Sequence, residues 1–124
     1  MSLTPMDLVN NAKQQITEID LATTQQSLTT DLILDVREPA EYAAGYLANA
    51  INIPRGVLEF KIGGHPAFQN TTAKIIVYCQ SGGRSALATE ALNKLGFSHA
   101  VSMAGGFKSW TDNSLPITLP DDRT

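Results

Sequence analysis

Cys79 is the single cysteine of the 124-residue chain, and Arg84 follows it across Gln80, Ser81, Gly82 and Gly83, with Ser85 next. A thiol is a useful nucleophile only as a thiolate, and a reference pKa of about 8.5 leaves a few per cent ionised near neutrality. Successive backbone N–H groups in a tight glycine-rich loop form a nest for an anion. Arg84 adds a permanent cation and a fork that can grip two oxygens of an incoming group. The expected arrangement is a cradle: Cys79 at its base, loop N–H groups around it, Arg84 at its rim, and the Ser81 or Ser85 hydroxyl within reach. The chemistry would be attack by sulfur on an anionic substrate. The plainer alternative is a small buried thiol at a strand end, the usual fate of a lone cysteine.

The flanking elements decide between these readings. Ile75 to Cys79 is β-branched, aromatic or small throughout, which predicts a short strand buried on both faces. The glycines after it predict a turn with backbone angles that other residues avoid. From Arg84 or Ser85 the pattern is helical, with Leu87, Ala88, Ala91, Leu92 and Leu95 on one stripe and Glu90 and Lys94 one turn apart. Gly96 suits the residue after the helix, with Phe97 packing back on the last turn. Cys79 thus ends a buried strand and faces a helix N-terminus, whose unpaired N–H groups favour an anion.

A second buried strand is predicted at Leu32 to Val36, and Asp35 is its odd member. Burying a carboxylate without partners costs several kcal/mol, so Asp35 requires Arg37 or loop N–H groups. It reads equally as a salt-bridged strand end and as a supporting site residue. Arg37 reads first as its structural partner. Arg55, after the Ala50–Ile53 strand and Pro54, is either a steering cation for an anionic substrate or an ordinary solvated arginine.

Four blocks resemble the rhodanese-like domain family, and specifically its single-domain sulfurtransferases. Cys79-Gln80-Ser81-Gly82-Gly83-Arg84, followed by Ser85, looks like the family's active-site loop. Leu34-Asp35-Val36-Arg37-Glu38 with Glu41-Tyr42 and Gly45-Tyr46-Leu47 looks like its first signature, although Tyr46 stands where the family often has His. Ala50-Ile51-Asn52-Ile53-Pro54 and Gly105-Gly106 with Trp110 match the remaining two. The blocks occur in the family's order over most of residues 16–116. The resemblance implies that Asp35 and Arg37 lie close to the active site, that Arg55 lies near the pocket entrance, and that the fold is a small three-layer α/β sandwich.

The outer bounds agree with one domain over residues 1–124, with a core from about 16 to 116 and a peripheral helix from about 4 to 14. At 43% hydrophobic and 17% charged, the composition is globular rather than disordered. A net charge of −3 with no basic stripe leaves no footprint for nucleic acid. One cysteine allows neither a disulfide framework nor a CxxC pair, and His65 and His99 have no metal-ligand spacing, so neither metal nor cofactor is expected. Gly105-Gly106 lacks the Lys-Ser/Thr of a P-loop, and Trp110 reads as core. No stretch is long and apolar enough to span a membrane, and the start does not read as a signal peptide, which makes the cytoplasm the expected location.

Thr4 with Pro5 and Asp7 predicts the first helix N-terminus. Ile16 to Ile19 predicts a short strand, Asp20 to Thr29 a second helix, Pro39 to Ala44 a third, and Gly63 to Pro66 a surface turn. His99 to Met103 predicts the last strand. Strands alternating with short helices imply a mainly parallel sheet flanked by helices, with ligands bound at the strands' carboxyl ends.

The expected activity is sulfur transfer from thiosulfate or a similar donor to cyanide or a thiol, through a Cys79 persulfide, with Arg84 gripping the donor's sulfonate. The final acceptor can also be a protein. Two rivals stand beside it. One is a phosphatase or arsenate-reductase-type enzyme, whose Cys…Arg loop is longer than this one. The other is a non-catalytic rhodanese-like binding module.

Overall fold

The computed structural model describes residues 2–120 and contains one five-stranded sheet in the order β1-β5-β4-β2-β3, with every pairing parallel. The strands are β1 (Glu18–Ile19), β2 (Leu32–Asp35), β3 (Ile51–Asn52), β4 (Ile75–Tyr78) and β5 (Ala100–Met103). The helices are α1 (Pro5–Gln15), α2 (Leu21–Gln26), α3 (Pro39–Ala43), α4 (Leu58–Lys61), α5 (Gly83–Lys94) and α6 (Gly106–Asp112). The strand that leads into the cysteine, β4, is therefore the central one, flanked by β5 and β2.

Side-chain alternation along the strands divides the interior into two layers. Leu34, Val36, Ile75, Val77, Cys79 and Ala100 pack on one face with Leu58 of α4 and Ala88 and Leu92 of α5. Ile33, Ile76, Tyr78 and Met103 pack on the other with Leu21 of α2, Tyr42 of α3 and Trp110 of α6. A parallel sheet needs both faces covered because its crossovers lie on them. The three-layer α/β sandwich follows.

The elements begin and end for legible reasons. Thr4 and Asp7 form a complete capping box at α1. Asp20 caps α2 through the Thr23 N–H, and that helix stops at Gln26, short of the predicted Thr29. Gly96 has φ of 102° after α5, and the Phe97 N–H reaches back to the Leu92 carbonyl. The Gly63–Pro66 stretch is not one turn: it joins two 3-10 turns, Ile62–Gly64 and Pro66–Phe68, and the His65 ring accepts from the Ala67 N–H.

Helix α5 departs most from the expected stripe. Ser85, Ala86, Ala88, Thr89 and Leu92 are its buried residues, whereas Leu95 is 49% exposed. The predicted apolar stripe assumed a helix buried on one side only. Instead α1 packs along α5, with Val9 lying next to Gly83, and the sheet-facing side takes two hydroxyl residues. Among the described residues, no helix is long and apolar enough to cross a membrane.

Candidate active site

Cys79 follows directly on β4 and is 1% exposed, within the α5-covered layer. The Gly82 N–H donates to Cys79 Sγ at 3.1 Å. Gly82 can point that N–H at the sulfur because its φ is 108°, a left-handed conformation that a side chain would penalise. Gly83 has no such requirement and simply begins the helix. Ser85, one turn into α5, lies 3.6 Å from the sulfur through Oγ and donates to the Gly82 carbonyl at 3.2 Å. Ser81 is exposed at the rim and Gln80 is half-buried, so Ser85 is the loop hydroxyl that meets the sulfur.

The loop is also held from behind by α6. The Phe107 N–H donates to the Cys79 carbonyl at 2.8 Å, and the Lys108 N–H donates to the Gln80 carbonyl at 3.0 Å. Gly106 makes this approach sterically possible. A Cβ there would sit 2.5 Å from the Gln80 oxygen and 2.7 Å from the Cys79 oxygen, at φ of 65°. The sequence shows the Gly105-Gly106 pair but not its role, since the two segments meet only after the sheet is assembled. Gly106→Ala is therefore expected to displace the loop and to destabilise the fold by about 1–3 kcal/mol. Urea denaturation together with activity checks this, and a variant with wild-type stability and turnover contradicts it.

Arg84 stands at the rim as expected, but its fork is occupied. Its Nη atoms donate to both carboxylate oxygens of Glu41 at 2.6 and 3.0 Å, tying α5 to α3. Glu41 also accepts from the Glu38 N–H at 2.9 Å. Arg84 holds the Glu41 carboxyl well below the usual range, to about 2, against the opposing effect of partial burial. The hydrogen bond to Glu41 raises the Arg84 guanidinium in turn, with a smaller contribution from Cys79.

A depressed carboxylate contributes stability above its unfolded value and loses it as pH falls through its folded value. The Glu41–Arg84 contribution is thus complete above about pH 4.5 and is lost toward pH 2. Both side chains are about one-third exposed, so solvent screening keeps the effect on stability small. A carboxyl-detected NMR titration is expected to place the Glu41 midpoint near 2. A midpoint in the ordinary carboxylate range rejects the pairing.

Asp35 and Arg37 form a buried ion pair at the end of β2, beside the central strand. Arg37 Nη2 meets Asp35 Oδ2 at 2.7 Å, and Arg37 Nε lies 3.1 Å from each carboxylate oxygen. Arg37 also donates to the Gly45 carbonyl at 2.7 Å and lies 4.2 Å from the Phe107 ring centroid, in cation–π geometry. Burial pushes the guanidinium down, and pairing with Asp35 more than offsets it. Tyr78 packs against the same guanidinium. Burial pushes its phenol up, so it stays protonated while its oxygen accepts from the Leu47 N–H. The pair thereby links β2, the α3–β3 connection and α6.

Arg55 begins a 3-10 turn after β3 and pairs with Glu59 at 2.9 Å, while its backbone N–H donates to the Val36 carbonyl. The structure thus gathers Cys79, Gln80 to Ser85 and α6 into one edge, with Asp35 at the end of the adjoining strand and Arg37 just beyond it. Arg55 belongs to a neighbouring connection. Among the described residues, no group of three or more His, Cys, Asp or Glu side chains could hold a metal ion.

Fold and site together define a single-sheet α/β protein that holds a buried sulfur beside the Gly82 N–H and the Ser85 hydroxyl at the carboxyl edge of its central strand, rather than within the several loop N–H groups expected. The chain belongs to the rhodanese-like domain family, whose model matches residues 17–113. It is 31% identical over 109 residues to a protein of Allochromatium vinosum named sulfurtransferase, covering 86% of this chain and 98% of that one. It is 39% identical over 93 residues to the chloroplastic thiosulfate sulfurtransferase 16 of Arabidopsis thaliana, covering 67% of this chain and 76% of that one. A solved structure from Rhodopseudomonas palustris, described as a possible tyrosine phosphatase, superposes with a TM-score of 0.85 at 29% identity. That alignment covers 95% of this chain and 96% of the other.

Proposed function

We propose that this chain is a sulfurtransferase that carries a sulfane sulfur on Cys79, from thiosulfate or a similar donor to cyanide or a thiol. The observation that carries this reading is the Gly82 N–H aimed at Cys79 Sγ from 3.1 Å, inside a loop clamped by Ser85 and α6. Such a donor favours an anionic sulfur at that point.

In the first step the Cys79 thiolate attacks the outer sulfur of thiosulfate. A new S–S bond forms, the donor's S–S bond breaks, and its electron pair leaves with sulfite. The second step begins when cyanide or a thiolate attacks the outer sulfur of the persulfide. That sulfur departs with the acceptor, and the Cys79 thiolate is restored. No resolving cysteine is needed, in keeping with a chain that has one cysteine. Arg84 supplies positive charge beside the reacting sulfur, and a sulfonate gripped by its fork would take the place now held by Glu41.

The description of the Rhodopseudomonas palustris protein favours a second reading, hydrolysis of a phosphate ester. Four residues between Cys79 and Arg84 suit a single sulfur better than a tetrahedral phosphate. Intact-protein mass spectrometry before and after thiosulfate, and again after cyanide, separates the readings. The expected record is a gain of one sulfur atom that cyanide removes. No gain with thiosulfate or mercaptopyruvate, together with turnover of an aryl phosphate, would replace sulfur transfer with phosphate hydrolysis. No reaction with any of them would favour a binding module.

A further inference from the structure

We propose that Ser102 is a positioning residue for Cys79, acting through Ser85 along a buried chain of hydroxyls. The inference deepens the sulfurtransferase reading and rests on Cys79 as its nucleophile. Ser102 pairs with Val77 across the β4–β5 ladder. Partners in a parallel ladder share a face, and Cys79, two residues beyond Val77, shares it too. Ser102 therefore opens into the layer that holds the sulfur and the first turn of α5. Ser85 and Ser102 are fully buried and Cys79 is 1% exposed. Ser102 Oγ donates to Ser85 Oγ at 2.9 Å, and Ser85 Oγ lies 3.6 Å from the sulfur.

A proton count gives this chain a direction. Each serine hydroxyl has one proton to donate and two lone pairs. Ser102 spends its proton on Ser85. With Cys79 as the thiol, its S–H donates to Ser85, and Ser85 donates to the Gly82 carbonyl. When the thiol proton leaves for solvent, the Ser85 proton can turn from that carbonyl to the sulfur. Ser102 remains bonded behind it, fixing the Ser85 oxygen and polarising its O–H, because hydrogen bonds in series strengthen one another. The thiolate then receives two donors, the Gly82 N–H and the Ser85 O–H. A persulfide anion would draw on the same pair. A serine that only satisfied its own hydrogen bond would leave the thiol's titration unmoved.

The charges around the sulfur are few. From α5, Arg84 faces it while paired with Glu41, and Glu38 lies near that guanidinium. The Asp35–Arg37 pair adjoins from the end of β2. β4 and β5 bring no charged side chain, and on α6 Lys108 is exposed and paired with Asp112. Changes at Ser102 leave all of these in place.

Thiolate absorbance in the ultraviolet, titrated against pH as a difference from Cys79→Ser, reads the ionised fraction in the full chain without any donor or acceptor. Ser102→Ala is expected to move the midpoint up by about half to one pH unit. Ser85→Ala should move it further, and the double variant should match Ser85→Ala, because Ser102 acts through Ser85. Ser102→Thr keeps a hydroxyl on a strand-compatible residue and should retain the wild-type curve, which preserves the test if Ser102→Ala does not fold. The proposal is overturned by a Ser102→Ala curve that superimposes on wild type, by shifts that add in the double variant, or by a Ser102→Thr curve displaced like that of Ser85→Ala. The titration can fail while thiosulfate still loads the protein, and it can hold while no persulfide forms, so the two readings are tested separately.

Discussion

Cys79→Ser is expected to abolish sulfur uptake and to reduce turnover roughly a thousandfold or more, since the covalent intermediate has no other atom to form on. The chain has no second thiol to substitute for it. The fold should survive, because a serine oxygen can still accept from the Gly82 N–H and the site buries only one side chain of nearly the same shape. A stability change within about 1 kcal/mol is expected. Intact mass after thiosulfate and a thermal melt measure the two halves together. Full turnover in a folded Cys79→Ser protein removes this residue from the mechanism.

Asp35→Ala should produce the largest loss of stability. Asp35 is fully buried and accepts from the Arg37 backbone N–H at 2.8 Å as well as from the guanidinium. Removing it leaves a charge that is 2% exposed still donating to the Gly45 carbonyl but without its carboxylate counter-ion, a loss of about 3–5 kcal/mol. That is a large part of the 5–15 kcal/mol that holds a typical domain together. Asp35→Leu with Arg37→Met should recover most of it, because the cost lies in the unpaired ion rather than in the missing bond. Urea denaturation of both proteins decides the matter. Equal instability in the single and double variants would show that the pair's geometry, rather than its charge balance, holds these connections.

Much of the loop geometry was legible because it is local. A buried strand, a glycine turn and a helix start are consecutive in the chain, so Cys79, Gly82 and Ser85 are brought near one another within one stretch, which α6 then holds from behind. The same holds for the capping box at Thr4 and for Gly96 after α5. Asp35 and Arg37 are two residues apart, and the rule that a buried carboxylate needs a partner left Arg37 or the loop N–H groups as candidates, between which the structure selects Arg37.

Three features were decided by tertiary structure. Arg84 reads as an open fork in sequence, and only the packing of α3 against the start of α5 shows Glu41 filling it. Gly106 reads as a helix start, and only the approach of α6 to the loop gives it the task of sparing space for two carbonyl oxygens. Ser102 carries a faint local signal, a hydroxyl on a strand whose neighbours are buried. Its contact with Ser85 depends on the order β5-β4 and on the register that sets Ser102 beside Val77. Local order follows from propensity, turn geometry and the accounting of polar groups, all written within a few residues of one another. Pairings across the sheet depend on which segments become neighbours, and that is settled by burying both faces of the sheet at once.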